Sequence, residues 1–161
     1  MCVKYFCILF FLPLLLSACN TGIEPKKHLG EIYIVALDSI MEQDEALSSE
    51  MKYIAIDMSN FDDADDSDKE EILSYFKGKY KVEILEATLE QLKEKGLYNS
   101  DLMSLDGVLL RIDKVDFKSN NEIFFEGSKF RSGLGAVGVE VKVHYKDNQW
   151  ESKEVKMTWI S

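Results

Sequence analysis

Cysteine is the first scarcity of this 161-residue chain: there are three, at positions 2, 7 and 19, and none after them. The body of the chain therefore has no thiol nucleophile, no disulfide framework and no cysteine-based zinc site. A packed core must hold the fold, and about 140 residues suffice for one such core but not for two. Histidine is rarer still. His28 and His144 lie far apart, which excludes chemistry built on several converging imidazoles. Basic residues are also short, 19 against 29 acidic. A chain so poor in clustered Lys and Arg is not a nucleic-acid binder, and it does not adhere electrostatically to anionic lipid.

There is one long apolar run, at residues 5–16, and at about a dozen residues it is shorter than the roughly 20 a spanning helix needs. Lys4 precedes it, and Leu16-Ser17-Ala18-Cys19 follows. A positive start, a short apolar stretch, small residues and a cysteine read as a lipoprotein signal peptide, residues 1–18, with a lipid such as palmitate attached to Cys19. The competing reading is an ordinary secretory signal cut after Ala18. Acyl chains contribute about 0.8 kcal/mol per buried methylene, so the expected location is the extracytoplasmic face of a cell membrane, held by lipid. Lys4 is the one charged residue of positions 1–18. The chain beyond carries 18 basic and 29 acidic residues, a formal charge of −11. That balance fits solubility beside a negative envelope, or recognition of cationic peptides or metal ions.

Residues 19–28, with Pro25, read as the lipidated cysteine and a flexible tether. One globular α+β domain is expected over 29–161. Leu29, Tyr33, Leu37, Ile40, Met41 and Leu47 recur at helical spacing, predicting a helix that ends near Ser48-Ser49. Residues 52–59 and 82–85 are strand-like. Ser67-Asp68-Lys69-Glu70 and Thr88-Leu89-Glu90-Gln91 read as capping boxes, with Gly78 and Gly96 just past the ends of their helices. Residues 98–104 read as a loop and Asp106-Gly107 as a turn. Four strands, 108–117, 122–130, 139–145 and 150–160, then form an antiparallel meander. In the third, Val139, Val141, Val143 and Tyr145 alternate with Glu140, Lys142, His144 and Lys146, one dry face and one wet. The expected whole is one curved sheet with helices on one face. Trp150 and Trp159, nine residues apart, fall on opposite faces of a regular strand, unless a bulge turns both inward.

The segment Gly133-Leu134-Gly135-Ala136-Val137-Gly138 matches GxGxxG in letters. A dinucleotide site needs a strand before it and a helix after it, and here a strand follows, so the glycines read as a connection or bulge. With Lys129, Phe130, Arg131 and Ser132 ahead of Gly133, Gly135 and Gly138, the stretch is a candidate interaction rim. The acidic run Asp62-Asp63-Ala64-Asp65-Asp66-Ser67-Asp68 lacks the glycine and the distal glutamate of a calcium loop, and reads as a solvated loop and helix cap. Asp57 and Asp113 are strand carboxylates, expected at the surface. No cofactor, metal site or catalytic set is expected.

Met51-Lys52-Tyr53-Ile54-Ala55-Ile56-Asp57, Leu105-Asp106-Gly107-Val108-Leu109-Leu110, the Gly127–Gly135 stretch and the tail Lys156-Met157-Thr158-Trp159-Ile160-Ser161 resemble small lipoproteins of low-GC Gram-positive bacteria. The order of helices and meander is similar to cystatin-like and nuclear-transport-factor-two-like folds. That resemblance implies either a pocket lined by Tyr33, Leu37, Tyr53 and the inward face of 139–145, or a solid core made of the same residues. The expected function is an accessory or binding lipoprotein of the cell envelope, meeting an envelope protein or small ligand. The alternatives are an inhibitor or immunity-type lipoprotein blocking an envelope-active enzyme or toxin, and, behind it, a small-molecule enzyme.

Overall fold

The computed structural model describes residues 22–161; the expected signal peptide, residues 1–18, and Cys19 lie outside the described residues. The chain is α+β. Helix α1, Leu29–Met41, is followed by strand β1, Tyr53–Asp57, helix α2, Asp66–Tyr80, strand β2, Glu83–Glu86, and helix α3, Leu89–Glu94. Then come β3, Tyr98–Asn99, β4, Ser104–Ser119, β5, Glu122–Ser132, β6, Gly135–Lys146, and β7, Gln149–Ile160.

All seven strands join one sheet, in the order β2-β1-β4-β5-β6-β7, with β3 paired to β4. The expected four-stranded antiparallel meander is present as β4-β5-β6-β7, but the sheet is larger than those four strands. The short strands β1 and β2 extend it in parallel, β1 pairing with both β2 and β4. The strand order corrects the expectation of helices on one face. The step from β1 through α2 to β2 moves outward along the sheet, and the step from β2 through α3 to β4 moves back. Two right-handed crossovers running in opposite directions must place their helices on opposite faces. Packing agrees with this. Ile54 and Ile56 join α1 and α2 in the main core, whereas Tyr53 and Ala55, on the alternate face, pack with Leu92 of α3.

The main core is solid where the resemblance left a pocket open. Leu37, Val141 and Val143 are fully buried, Val139 and Tyr33 nearly so, and Tyr53 belongs to the other face. The alternation read in β6 is present: its valines are inside and Glu140, Lys142 and His144 lie on the wetter side. Trp150 is buried and Trp159 is 49% exposed. Two register shifts between β6 and β7 each add a residue to β7, and together they restore parity, so the tryptophans stay on opposite faces.

Several boundaries move. Helix α1 stops at Met41, and Leu47 sits on a separate 3-10 turn, Glu45–Ser48. The capping box of α2 is Asp65 with Asp68, not Ser67 with Glu70. Asp65 adds a carboxylate at the positive helix end, and it starts the helix one residue before Ser67. Gly78 lies inside α2, which ends at Lys81 in the left-handed region, φ 57°. Thr88 and Gln91 form the expected box, and Gly96 has φ 70°. Asp106 and Gly107 are part of β4 rather than a turn: an added Cβ on Gly107 would collide with Tyr53, so glycine there permits close strand packing. The tether is docked in its second half. Pro25 is buried in a 3-10 turn, and Lys26 pairs with Asp63 at 3.0 Å.

Candidate functional site

The segment singled out in the sequence lies on β5 and β6 and divides into an inside and an outside. Lys129 is inside, with no exposed surface. Its side chain points to the helix face of the sheet, where α1 ends. The last carbonyls of a helix have no partner within it, and the final turn of α1 holds no basic residue. Lys129 supplies both donor and charge from across the fold. Its Nζ donates to the carbonyls of Met41 at 2.8 Å and Asp44 at 2.9 Å, to that of Gln43, and to Ser48 Oγ at 3.1 Å. Burial pushes the ammonium down from 10.5 to about 8, while Asp44 and Glu45 pull it back up. Arg131 acts on the same loop, its Nη1 donating to Leu47 O at 2.9 Å and to Ser49 O. The basic rim expected at Lys129 and Arg131 is therefore an internal clamp. Aromatic Phe130 alternates to the other face, half-buried beside Leu109 and Leu92.

Ser132 ends β5, Gly133 and Leu134 form the turn, and Gly135 to Gly138 are β-strand. The glycines serve packing. An added Cβ at Gly138 would collide with the Trp159 indole, and one at Gly135 would crowd Ser132 Oγ and Leu47. The outward-facing residue is Leu134, 89% exposed at the tip. Around this end of the sheet stand Leu102 at 69%, Met103 at 54% and Ile160 at 66% exposed, with Trp159 beside them. Gly133 N–H donates to Met103 O at 3.0 Å, which holds the neighbouring loop against the tip. Sequence reading missed this cluster because its members come from three separate segments.

A groove of about 200 Å³ runs between α3 and Trp159, lined by Leu89, Leu109, Arg111, Ser128 and Phe130 with Asp57 at its wall. Asp57 is 6% exposed, against the expected surface position. It accepts the Ser59 N–H at 3.0 Å and so shapes the turn that leaves β1. Asp113 pairs with Arg111 at 2.6 Å. His144 meets Glu151 at 3.0 Å on the wet sheet face, and His28 precedes α1.

The second concavity, about 460 Å³, lies between β4 and the loop after β1, with Asp62, Asp63 and Asp113 on its walls and Tyr33 at its floor. The acidic run is thus split. Asp65 and Asp68 cap α2, Asp68 also accepts the Gly30 N–H at 3.0 Å, and Asp62 and Asp63 face the cleft. Among the described residues no three His, Cys, Asp or Glu side chains are placed to share a metal ion. No helix of the described chain is long and apolar enough to cross a membrane.

No protein-family model, curated protein or solved structure matches this chain.

Proposed function

We propose that this chain is a lipid-anchored accessory protein of the cell envelope, on its extracytoplasmic face, which binds a protein partner through the end of its sheet farthest from the lipid. The observation that carries this reading is the placement of exposed apolar side chains relative to the tether. Residues 24–26 share a concavity with Phe117, Ser119 and Asn120, at the turn where β5 begins. Leu134 lies just beyond the other end of β5, a strand of 11 residues that spans about 35 Å at 3.3 Å per residue. Leu102, Met103, Leu134, Trp159 and Ile160 stand at the end of the sheet opposite residues 24–26. Exposed apolar groups gathered at one end of a domain mark an interaction surface, and this reading takes a protein rather than the anchor's own bilayer as what covers them.

The test is crosslinking in living cells, with Cys19 intact and a photoreactive residue at Leu134. One recovered envelope protein, lost in a Trp159→Ala Leu134→Asp variant of unchanged stability, supports the reading. Free diffusion of a Cys19→Ser variant away from the membrane supports the anchor. A Cys19→Ser protein that stays fully membrane-bound, or a tip that crosslinks only to lipid, overturns it.

The acidic balance of the chain favours a second reading, an inhibitor or immunity-type lipoprotein facing a cationic enzyme or toxin. The same crosslink separates the two, because the recovered partner would then be that antagonist.

A further inference from the structure

Strand β4 is the longest in the sheet, 16 residues, yet its partner β1 reaches only as far as Arg111. Past that point β4 pairs with β5 on one side alone, through Ser119. Among the described residues, no strand lies beside its other edge from Ile112 onward. One group on that edge is satisfied by the opposing loop, Asn60 Nδ2 donating to Ile112 O at 3.1 Å. The loop after β1 then stands off, and the cleft of about 460 Å³ opens between them. Its volume is within the range of about 300–1,000 Å³ that ligands occupy. Five of its lining residues, Ile112 to Val115 and Phe117, come from this one edge. An unpaired edge offers a ladder of N–H and C=O groups to an extended chain.

The opposite wall sets the charge. Asp62 has no ion-pair partner among the described residues, and Asp63 reaches only Lys26, across the exposed rim. Tyr33, stacked on Phe61 with ring centres 4.1 Å apart, forms the floor. Its hydroxyl is pushed up to about 12, first by burial and then by Asp63, Asp62 and Asp68, and the cation among the lining residues, Lys114, is paired with Glu126 at 2.8 Å. Phe117, 37% exposed, closes the far end with an apolar surface.

We propose that this cleft binds an extended basic peptide segment, which adds to β4 as a strand along Asp113–Phe117 and sets Lys or Arg side chains against Asp62 and Asp63. Backbone pairing supplies a site for any extended segment, and the carboxylates select the charge. This surface lies near the tether, well away from the apolar end, so it stands or falls independently of that reading.

The probe is a fluorescent decapeptide alternating Lys and Val, titrated into the full chain in detergent, with amide hydrogen exchange followed in parallel. Saturable binding should weaken with salt, and exchange should slow at residues 112–117. The Asp62→Asn Asp63→Asn variant should bind about fivefold more weakly, the effect of two exposed charges. A peptide of equal charge with Pro at alternate positions should not bind. Equal binding of the proline peptide, protection elsewhere in the chain, or no binding of the alternating peptide overturns the proposal. The two substitutions are at solvent-facing positions, and an unchanged exchange pattern without peptide verifies that the variant is folded.

Discussion

Replacing Lys129 by methionine keeps the length and apolar stem of the side chain and removes only the ammonium. In the native protein that ammonium is fully buried and serves the carbonyls of Met41, Gln43 and Asp44 and the Ser48 hydroxyl. A hydrogen bond to a charged group contributes about 1.5–3 kcal/mol, and a buried acceptor left without its donor costs about 1–3 kcal/mol. Two effects reduce the total. The variant no longer dehydrates a charge, and the exposed side of the 42–49 loop lets water reach some of the carbonyls. The expected net loss is about 3 kcal/mol at pH 7. With a urea dependence of about 2 kcal/mol per molar, the unfolding midpoint should fall by about 1.5 M. Proteolysis should reach the 42–49 loop before global unfolding, because the loop's tie to the sheet is the group removed. A loss under about 1 kcal/mol, with the loop still protected, would refute the account of Lys129 as the cap of α1.

The same lysine gives a signed pH dependence. With Lys129 held down at about 8 in the fold and near 10.5 unfolded, the unfolded chain binds more protons between those values, so wild-type stability gains from this group as pH rises. The gap between wild type and Lys129→Met should therefore widen by about 2 kcal/mol from pH 7 to pH 10, measured by urea unfolding at both. Tyr33, pushed up to about 12, acts in the opposite sense above pH 10 in both proteins and cancels in the difference. Asp38 ties α1 to α2 by accepting from Tyr75 at 3.1 Å, Tyr80 at 2.7 Å and Lys79 at 2.6 Å. Asp38→Ala should cost about 2 kcal/mol, and a double-mutant cycle with Tyr80→Phe should show coupling of about 1 kcal/mol. Gly138→Ala drives a methyl into the Trp159 indole. The half-exposed ring can swing out, so the loss should be about 1 kcal/mol, with tryptophan emission shifted to the red.

Local patterns carried much of the fold. The alternation at 139–146, the Thr88–Gln91 box and the left-handed Gly96 each depend on a few neighbouring residues, and each is present as read. The sequence alone also specifies the apolar run before Cys19, the lack of cysteine after it and the acidic balance, because these are matters of composition. Pairing between distant strands was not legible. Tyr53–Asp57 shows a short apolar run, but nothing local says that it inserts beside β4 in parallel, nor that reversing crossovers send α3 to the opposite face. Lys129 shows the limit most plainly. As a letter between two polar or aromatic neighbours it reads as a surface cation. Only the tertiary fold brings the end of α1 over β5, where unpaired carbonyls give a buried lysine amine its hydrogen-bond acceptors. The exposed apolar end and the acidic cleft were likewise decided by the fold, since each gathers residues from segments far apart in the chain.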